Sequence, residues 1–526
     1  MADPGAIERA PRVDPDLLRK LEGRLVASSG VPPIEIEAPF TGEMIGAVPD
    51  SRADDVGEAV ERARRAQKRW AQLGLRGRSR IMTRFHDLLI DRADIAMDIL
   101  QLESGKARIP AFEEVFDTVA TTRYYLNTAP ALLRRKRRAV SLPGFTTAWE
   151  YRHPIGVVGN ITPWNFPFTL SISDVVAALI VGNSVVVKPD EKTPYSALFG
   201  GLLLEEAGLP PDVFQVVTGR GESAGSALID QVDFVAFTGS TQVGRIVSEH
   251  AGRRLVAASM ELGGKNAAIV MADADLDRTV GGVGRAVYAN GGQLCISMEK
   301  IYVDERLVEP FTEAFVEYSR GLPLSATFDF SSSMSSIIDS DHLEKVHSHV
   351  EDAVAKGATL LTGGKPRPDV GPLFYEPTVL TDVNDSMIIC RSETFGPVVS
   401  IERFNQVEEA IDLANDSEYG LNFSVWTSNE RHGVEIASRL HAGTVGVNDG
   451  YAATWSSYDA PMGGMKASGI SRRHGDVGLL KFTESQTIAV QRGIPAFAPP
   501  FGISYETYQR ILSKGLKVLR RLPFYK

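Results

Sequence analysis

From Ile155 onward, short apolar runs that close on Gly or Pro alternate with stretches of helical spacing. The runs are Ile155–Ile161, Ser184–Lys188, Val213–Val217, Phe234–Thr238 and Ala267–Val270. Strand, turn and helix repeating in this way predict a doubly wound α/β domain with a mostly parallel sheet. A second alternating region follows the segment around Cys295. Its strand candidates are Lys300–Val303, Val398–Glu402, Phe423–Thr427 and Thr444–Asn448, and its helix candidates are Leu307–Arg320 and His342–Lys356. Two α/β domains are therefore expected. Ahead of both, Val56, Val60, Ala63, Ala66 and Trp70 recur at helical spacing and predict an amphipathic helix over Ala53–Gly74. Arg78–Ser104 and Pro110–Leu126 read as further helices. Residues 1–30 are polar and punctuated by Pro and Gly, and read as a loosely held arm.

The 526 residues carry a net charge of −10, which argues against a general nucleic-acid binder. The longest strongly apolar run, Val175–Val181, falls far short of the roughly 20 residues that span a bilayer. The first 20 residues have no apolar signal core. The two cysteines, Cys295 and Cys390, rule out a disulfide scaffold and suit a reducing cytoplasm. The arginine-rich run Arg134–Arg138 reads as a solvated or intersubunit face. The tail Ile503–Lys526 sets Ile511, Leu512, Leu516, Leu519 and Leu522 at helical spacing between cations. Packing on its own or a neighbouring subunit is expected there ahead of membrane binding.

Three motifs carry chemistry. Cys295 follows Asn290-Gly291-Gly292-Gln293-Leu294, where two glycines let backbone approach a ligand and a turn can expose sulfur. A buried small hydrophobe is the alternative. Glu261 lies upstream in Met260-Glu261-Leu262-Gly263-Gly264-Lys265, poised for base work if burial raises its pKa, or else a salt-bridged structural residue. In Pro163-Trp164-Asn165-Phe166-Pro167, two prolines and two aromatics fix one amide that can donate to an oxyanion. A turn cap is the bland reading. Phe237–Gly244 closes a strand and opens a helix with Gly239 and Ser240, a phosphate-friendly turn. It is not G-x-G-x-x-G, and the ribose-acid candidate Glu191 precedes it.

Taken with Lys188–Glu191, Glu393-Thr394-Phe395-Gly396-Pro397 and Gly463–Gly469, in this order along the chain, these motifs resemble the aldehyde dehydrogenase superfamily from about Ile34 to Gln491. The resemblance implies two Rossmann-like α/β domains and a small β-strand oligomerisation flap that pairs subunits into homodimers or homotetramers. The implied boundaries are a dinucleotide-binding domain over 31–133 and 152–261, a flap over 134–151 and 482–491, a catalytic domain over 262–481 and a tail over 492–526.

The cofactor implied is NAD or NADP. Lys188 and Glu191 would contact the adenosine ribose, Ser240 the pyrophosphate and Glu393 the nicotinamide ribose, with Phe395 near the ring. Ile161, Pro163, Trp164, Gly239, Gly244 and Leu262 would complete the cofactor site. Cys295 is implied as nucleophile, Asn165 as oxyanion donor and Glu261 as the base that activates water, with no metal. Phe166, Leu170, Ser173, Ala289, Leu294, Ile296 and Met462 would form the aldehyde pocket. Within the superfamily the wording is most similar to an actinobacterial succinate-semialdehyde dehydrogenase branch, through Gly371–Leu380, Ala460–Met465 and Pro499–Gly502. That branch's substrate carries a carboxylate, and Ser173 and Ala289 stand where its well-studied members carry Arg. A broad-specificity or bulky-aldehyde enzyme is the alternative, and a CoA-acylating relative is disfavoured by Glu261.

Overall fold

Five runs rich in β-branched and small residues form parallel strands β1 (Val157–Ile161), β2 (Ser184–Lys188), β3 (Phe214–Val216), β4 (Phe234–Thr238) and β5 (Ala257–Glu261) in the computed structural model. The model describes residues 13–25, 28, 30–140, 145–492 and 498–521. The strands lie in the order β3-β2-β1-β4-β5. The order reverses between β1 and β4, so the loops leaving their carboxyl ends diverge and open a crevice there. Strands β2 and β4 coincide with the expected runs. β5 has no such run in the sequence because its first residues are exposed.

The second sheet contains β6 (Asn266–Val270), β7 (Met298–Asp304), β8 (Thr359–Thr362), β9 (Thr378–Thr381), β10 (Val398–Phe404), β11 (Asn422–Trp426) and β12 (Thr444–Val447). Its order is β8-β9-β10-β7-β6-β11-β12, with only β8 antiparallel to its neighbour. The Thr-rich β8 and β9 went unread in the sequence, where they lack an apolar run. A two-residue strand, β13 (Gly469–Ile470), pairs with β5 and lays Gly469 beside Glu261.

The helix expected over Ala53–Gly74 spans Ala53–Gln72, with Val56, Val60, Ala63, Ala66 and Trp70 all buried. Trp70 donates its indole N–H to the Leu179 carbonyl at 2.9 Å, which satisfies the donor that burial would otherwise strand. The helix expected over Arg78–Ser104 is two helices, Gly74–Asp91 and Ala93–Ser104, separated where Arg92 leaves helical geometry. The next helix runs over Arg108–Leu132, longer than expected at both ends. Part of the expected loose arm is also helical. Pro15–Glu22 is capped by the Asp14 carboxylate and buries Leu18 and Leu21. Residues 1–12, 26, 27 and 29 of that arm lie outside the described residues.

These elements, the helix Arg108–Leu132 as far as Ala129, belong to a unit made of residues up to Ala129 together with Pro154–Phe482. The other unit joins Pro130–His153 to the chain from Thr483. It contains a three-stranded sheet of Lys136–Arg138, Thr146–Pro154 and Thr483–Gln491, and a helix over Tyr505–Leu519. Within it the basic run is met locally, with Arg138 paired to Glu150 and Arg135 over the Trp149 ring. Leu522 of the tail stripe lies outside the described residues. Among the described residues no helix is long and apolar enough to cross a membrane.

Candidate active site

After the helix Leu276–Tyr288 the chain reaches Cys295 through Asn290, Gly291 and Gly292, with φ of 52°, 64° and 72°. Three successive left-handed residues are tolerable only for glycine and, less well, asparagine. A Cβ on Gly292 would lie 2.0 Å from the Gly396 carbonyl oxygen, so the turn needs a bare backbone. The Asn266 amide then donates to the carbonyls of Cys295 and Ser297, both at 2.8 Å, and pins the segment just ahead of β7.

Asn165 leaves β1 in the Pro-bounded turn. Its side-chain amide donates to the Gln293 carbonyl at 3.0 Å, which ties it to the Cys295 turn and leaves its second N–H for another acceptor. Its backbone carbonyl accepts from Lys106 Nζ at 2.7 Å and from the Asn290 amide at 3.1 Å. Lys106 is paired with Glu114, whose other oxygen accepts from the backbone N–H groups of Phe168 and Thr169 at 2.9 and 3.0 Å. Lys106 and Glu114 are wholly buried, and the ammonium sits 4.0 Å from the Phe166 ring centre. Nothing in the sequence marks this pair, since helical spacing does not single out a lysine beside Gly105 as interior.

Glu261 ends β5. Its Oε1 is buried and has no hydrogen-bond partner among the described residues. A Cβ on Gly463 would lie 2.8 Å from that oxygen. Burial pushes the Glu261 carboxyl up to about 7, opposed by the positive charges of Arg473, Lys481 and Arg472. Arg473 is itself buried and paired with Asp174. The Cys295 thiol is pushed up to about 12 by burial and then by the carboxyls of Glu393 and Glu261. Glu393 accepts from Gly264 N–H at 2.7 Å and is raised to about 7 by burial and by Glu299. Glu299, paired with Lys265 at 2.5 Å, accepts from Phe395 N–H at 2.9 Å and holds that residue at a φ of 61°. The Phe395 ring stands edge-on to Trp164 at 5.5 Å.

The remaining cofactor candidates gather at the carboxyl ends of the first sheet's strands. Ile161, Pro163 and Trp164 lie at and beyond the end of β1, and Lys188 ends β2 with Nζ 3.3 Å from Glu191. Gly239 and Ser240 follow β4, and Ser240 Oγ caps the 13-residue helix Thr241–Arg253 by accepting from Val243 N–H at 3.3 Å. Gly244 allows that helix to sit on Leu262, whose side chain a Cβ would approach to 2.3 Å. A helix N-terminus at the reversal of strand order, with a carboxylate at the next strand end, fits a dinucleotide's phosphates and ribose hydroxyls.

A cavity of about 390 Å³ is lined by Phe166, Leu294 and Ile296, together with Phe112, Phe116, Tyr451, Trp455 and Tyr458. Its charged lining residues are Glu113, Glu114, Asp117, Arg285 and Asp449. Leu170 and Met462 are buried in the hydrophobic cluster against which Cys295 and Ala289 pack, but none of Leu170, Ala289 and Met462 is in the cavity wall. Ser173 is likewise outside that wall. It closes the π-helical turn Thr169–Ser173, whose extra residue shifts the helical register, and it lines a separate small cavity with Thr121, Tyr125 and Arg473.

The aldehyde dehydrogenase family model matches residues 25–488. A provisionally named NADP(+) succinate-semialdehyde dehydrogenase of Mycolicibacterium smegmatis is 50% identical over 93% of this chain and 94% of its own. Another so named, from Mycobacterium ulcerans, is 48% identical over the same shares. The crystal structure of an NAD-dependent aldehyde dehydrogenase from Sinorhizobium meliloti superposes with a TM-score of 0.86 at 36% identity, covering 92% of this chain and 95% of that one. On this sequence match and this architecture, the chain belongs to the aldehyde dehydrogenase family.

Proposed function

We propose that the chain oxidises an aldehyde to a carboxylic acid with NAD or NADP, through a thioester on Cys295 that water hydrolyses. The observation that carries this reading is that the Asn165 amide is tied to the half-buried Cys295 turn through the Gln293 carbonyl at 3.0 Å, while Glu261 Oε1 is buried without a hydrogen-bond partner among the described residues. With the thiol held protonated, attack requires a proton acceptor, and Glu261, poised near neutrality, suits that role. The sulfur adds to the carbonyl carbon while the Asn165 side-chain N–H and the Cys295 backbone N–H receive the oxyanion. A bound oxidised nicotinamide supplies the hydride acceptor. Glu261, once it has passed the thiol's proton on to solvent, takes a proton from water as that water attacks the thioester, and the departing sulfur recovers a proton as the acid is freed. Lys188, Glu191, Ser240, Glu393 and Phe395 would hold the cofactor, within walls supplied by Ile161, Pro163, Trp164, Gly239, Gly244 and Leu262.

Two classes of aldehyde come into consideration. Succinate semialdehyde is supported by the names of the mycobacterial relatives. Its carboxylate needs a cation, and Arg285 in the cavity wall is already paired with Glu113 at 2.5 Å. A bulkier aldehyde without a carboxylate is favoured by the aromatic and acidic lining, and the geometry supports it better. An aldehyde panel run with both cofactors, following reduced-nicotinamide absorbance, tests the reading. Turnover retained in Cys295→Ala, or a clear preference for succinate semialdehyde over neutral aldehydes of equal length, overturns the first or the second part respectively. A homodimer or homotetramer built through the three-stranded sheet, working in the cytoplasm, completes the proposal and is tested by light scattering and fractionation.

A further inference from the structure

Of the four carboxylates in the wall of the 390 Å³ cavity, three are engaged. Glu113 accepts from Arg285 at 2.5 Å and from the Tyr451 hydroxyl at 3.1 Å. Glu114 holds Lys106 and two backbone N–H groups. Asp449 accepts from Ala453 N–H at 2.8 Å. Asp117 differs from all of them. It is 2% exposed, and neither of its oxygens has a hydrogen-bond partner among the described residues. Ser173, Trp455 and Tyr458 are neighbouring donors whose hydrogen-bonding groups bear on its charge, but none meets either oxygen at the distance and angle of a formed bond. The neighbouring cation, Arg473, is taken by Asp174 and lies over the Trp455 ring at 5.0 Å. Burial raises the Asp117 carboxyl to about 6, against the pull of Arg473.

A buried anion without a donor is costly, and a ligand that brings the donor recovers that cost. We propose that Asp117 sets the substrate class of this cavity by accepting a hydrogen bond from a protonated amine on the tail of the aldehyde. The rings of Phe116, Trp455 and Tyr458 line the same cavity and offer a cation their faces. A carboxylate tail would instead set a second anion in this acidic wall, and a hydroxyl would bring a donor without compensating charge. The inference rests on the reading of Cys295 as the nucleophile that this cavity serves.

The test compares kcat/KM for 3-aminopropanal, propanal and 4-(trimethylammonio)butanal in the full-length enzyme and in Asp117→Asn. The expected result is a preference for 3-aminopropanal over propanal of tenfold or more, falling at least tenfold in the variant. In the parent, propylamine should also inhibit propanal oxidation competitively, an assay that needs no folded variant. Equal use of 3-aminopropanal and propanal by the parent overturns the proposal while leaving the nucleophile reading intact. An undiminished preference in Asp117→Asn also overturns it. So does an equal gain for the quaternary aldehyde, which has no N–H to donate. An enzyme that oxidises no aldehyde overturns the parent reading, and this one with it.

Discussion

Lys106 Nζ donates to the Asn165 backbone carbonyl at 2.7 Å while pairing with Glu114, so one buried ammonium ties the helix Arg108–Leu132 to the turn that carries the proposed oxyanion donor. Glu114 completes the clamp from the other side by accepting from Phe168 and Thr169 N–H. Lys106→Met should leave an unpaired buried carboxylate and cost about 3–5 kcal/mol of stability. The double variant Lys106→Met, Glu114→Gln removes both charges and should recover part of that loss in urea denaturation. It cannot restore the hold on Asn165, so its kcat should stay at least tenfold low with the aldehyde KM little changed. Parental kcat in the double variant would show that the pair serves stability alone.

Glu261→Gln should slow both attack by the Cys295 thiol and hydrolysis of the thioester, because the same carboxylate takes the proton in each. Removing a general base costs about 10²–10⁴ in rate. The expected signature is loss of any burst of reduced cofactor, with single-turnover acylation slowed alongside steady-state turnover. The same substitution should change stability with a definite sign. The folded Glu261 carboxyl sits at about 7, above its usual range, so the native state binds its proton more tightly than the unfolded chain does. That contribution is present at low pH and is lost as pH rises toward about 7, leaving a cost on the order of 1–3 kcal/mol at pH 8. Glu261→Gln should therefore unfold at higher urea than the parent at pH 8, with the gap closing toward pH 5. An equal gap at both pH values would mean that the carboxyl is not buried in the way described.

Much of the site could be read from the sequence because its chemistry sits on turns. Gly291 and Gly292 mark the Cys295 turn, the prolines on either side of Asn165 mark the turn of the proposed oxyanion donor, and Gly239–Ser240 marks the start of a helix at a strand end. Each device is local, so each leaves a local trace. The supports behind them are not local. Lys106, Glu114, Asp174 and Arg473 are charged residues that ordinarily face water, and only the tertiary fold buries them in pairs. Strands β1, β2 and β4 showed as apolar runs because both their faces are covered, whereas β5 and β8, partly exposed, did not. The pocket was the least legible part. Ser173 and Ala289 are singled out by the resemblance alone, as the places where relatives carry Arg, and such a match in sequence does not say which cavity a side chain lines once the chain passes through the π-turn at Thr169–Ser173.

Gly292→Ala should disable the Cys295 turn. The position has a φ of 72°, and an added Cβ would lie 2.0 Å from the Gly396 carbonyl oxygen, next to Pro397 in the loop that also carries Phe395. Backbone must move on one side or the other, so kcat/KM should fall about 100-fold, and iodoacetamide should label Cys295 at an altered rate. Gly281→Ala, in the preceding helix, is the control, because a Cβ there meets nothing within 4 Å. It should be neutral or stabilising by about 0.4–1 kcal/mol. Equal effects of the two substitutions would remove the steric argument.

Glu191→Ser should shift cofactor choice. Lys188 Nζ is 3.3 Å from Glu191 Oε2 at the end of β2, and Lys192 stands nearby, paired with Asp190 and Asp339. With the carboxylate present, ribose hydroxyls have an acceptor, and a 2′-phosphate meets a negative charge that Lys188 only partly offsets. Removing it frees Lys188 for the phosphate and withdraws the acceptor from the hydroxyls. The ratio of kcat/KM with NADP to that with NAD should rise at least tenfold, mostly through the cofactor KM, since Glu191 lies away from the reacting carbon. The shift should shrink as salt is raised, because it is largely electrostatic at a partly exposed site. A ratio unchanged from the parent would place the discrimination elsewhere on the nucleotide and leave Glu191 as a structural partner of Lys188.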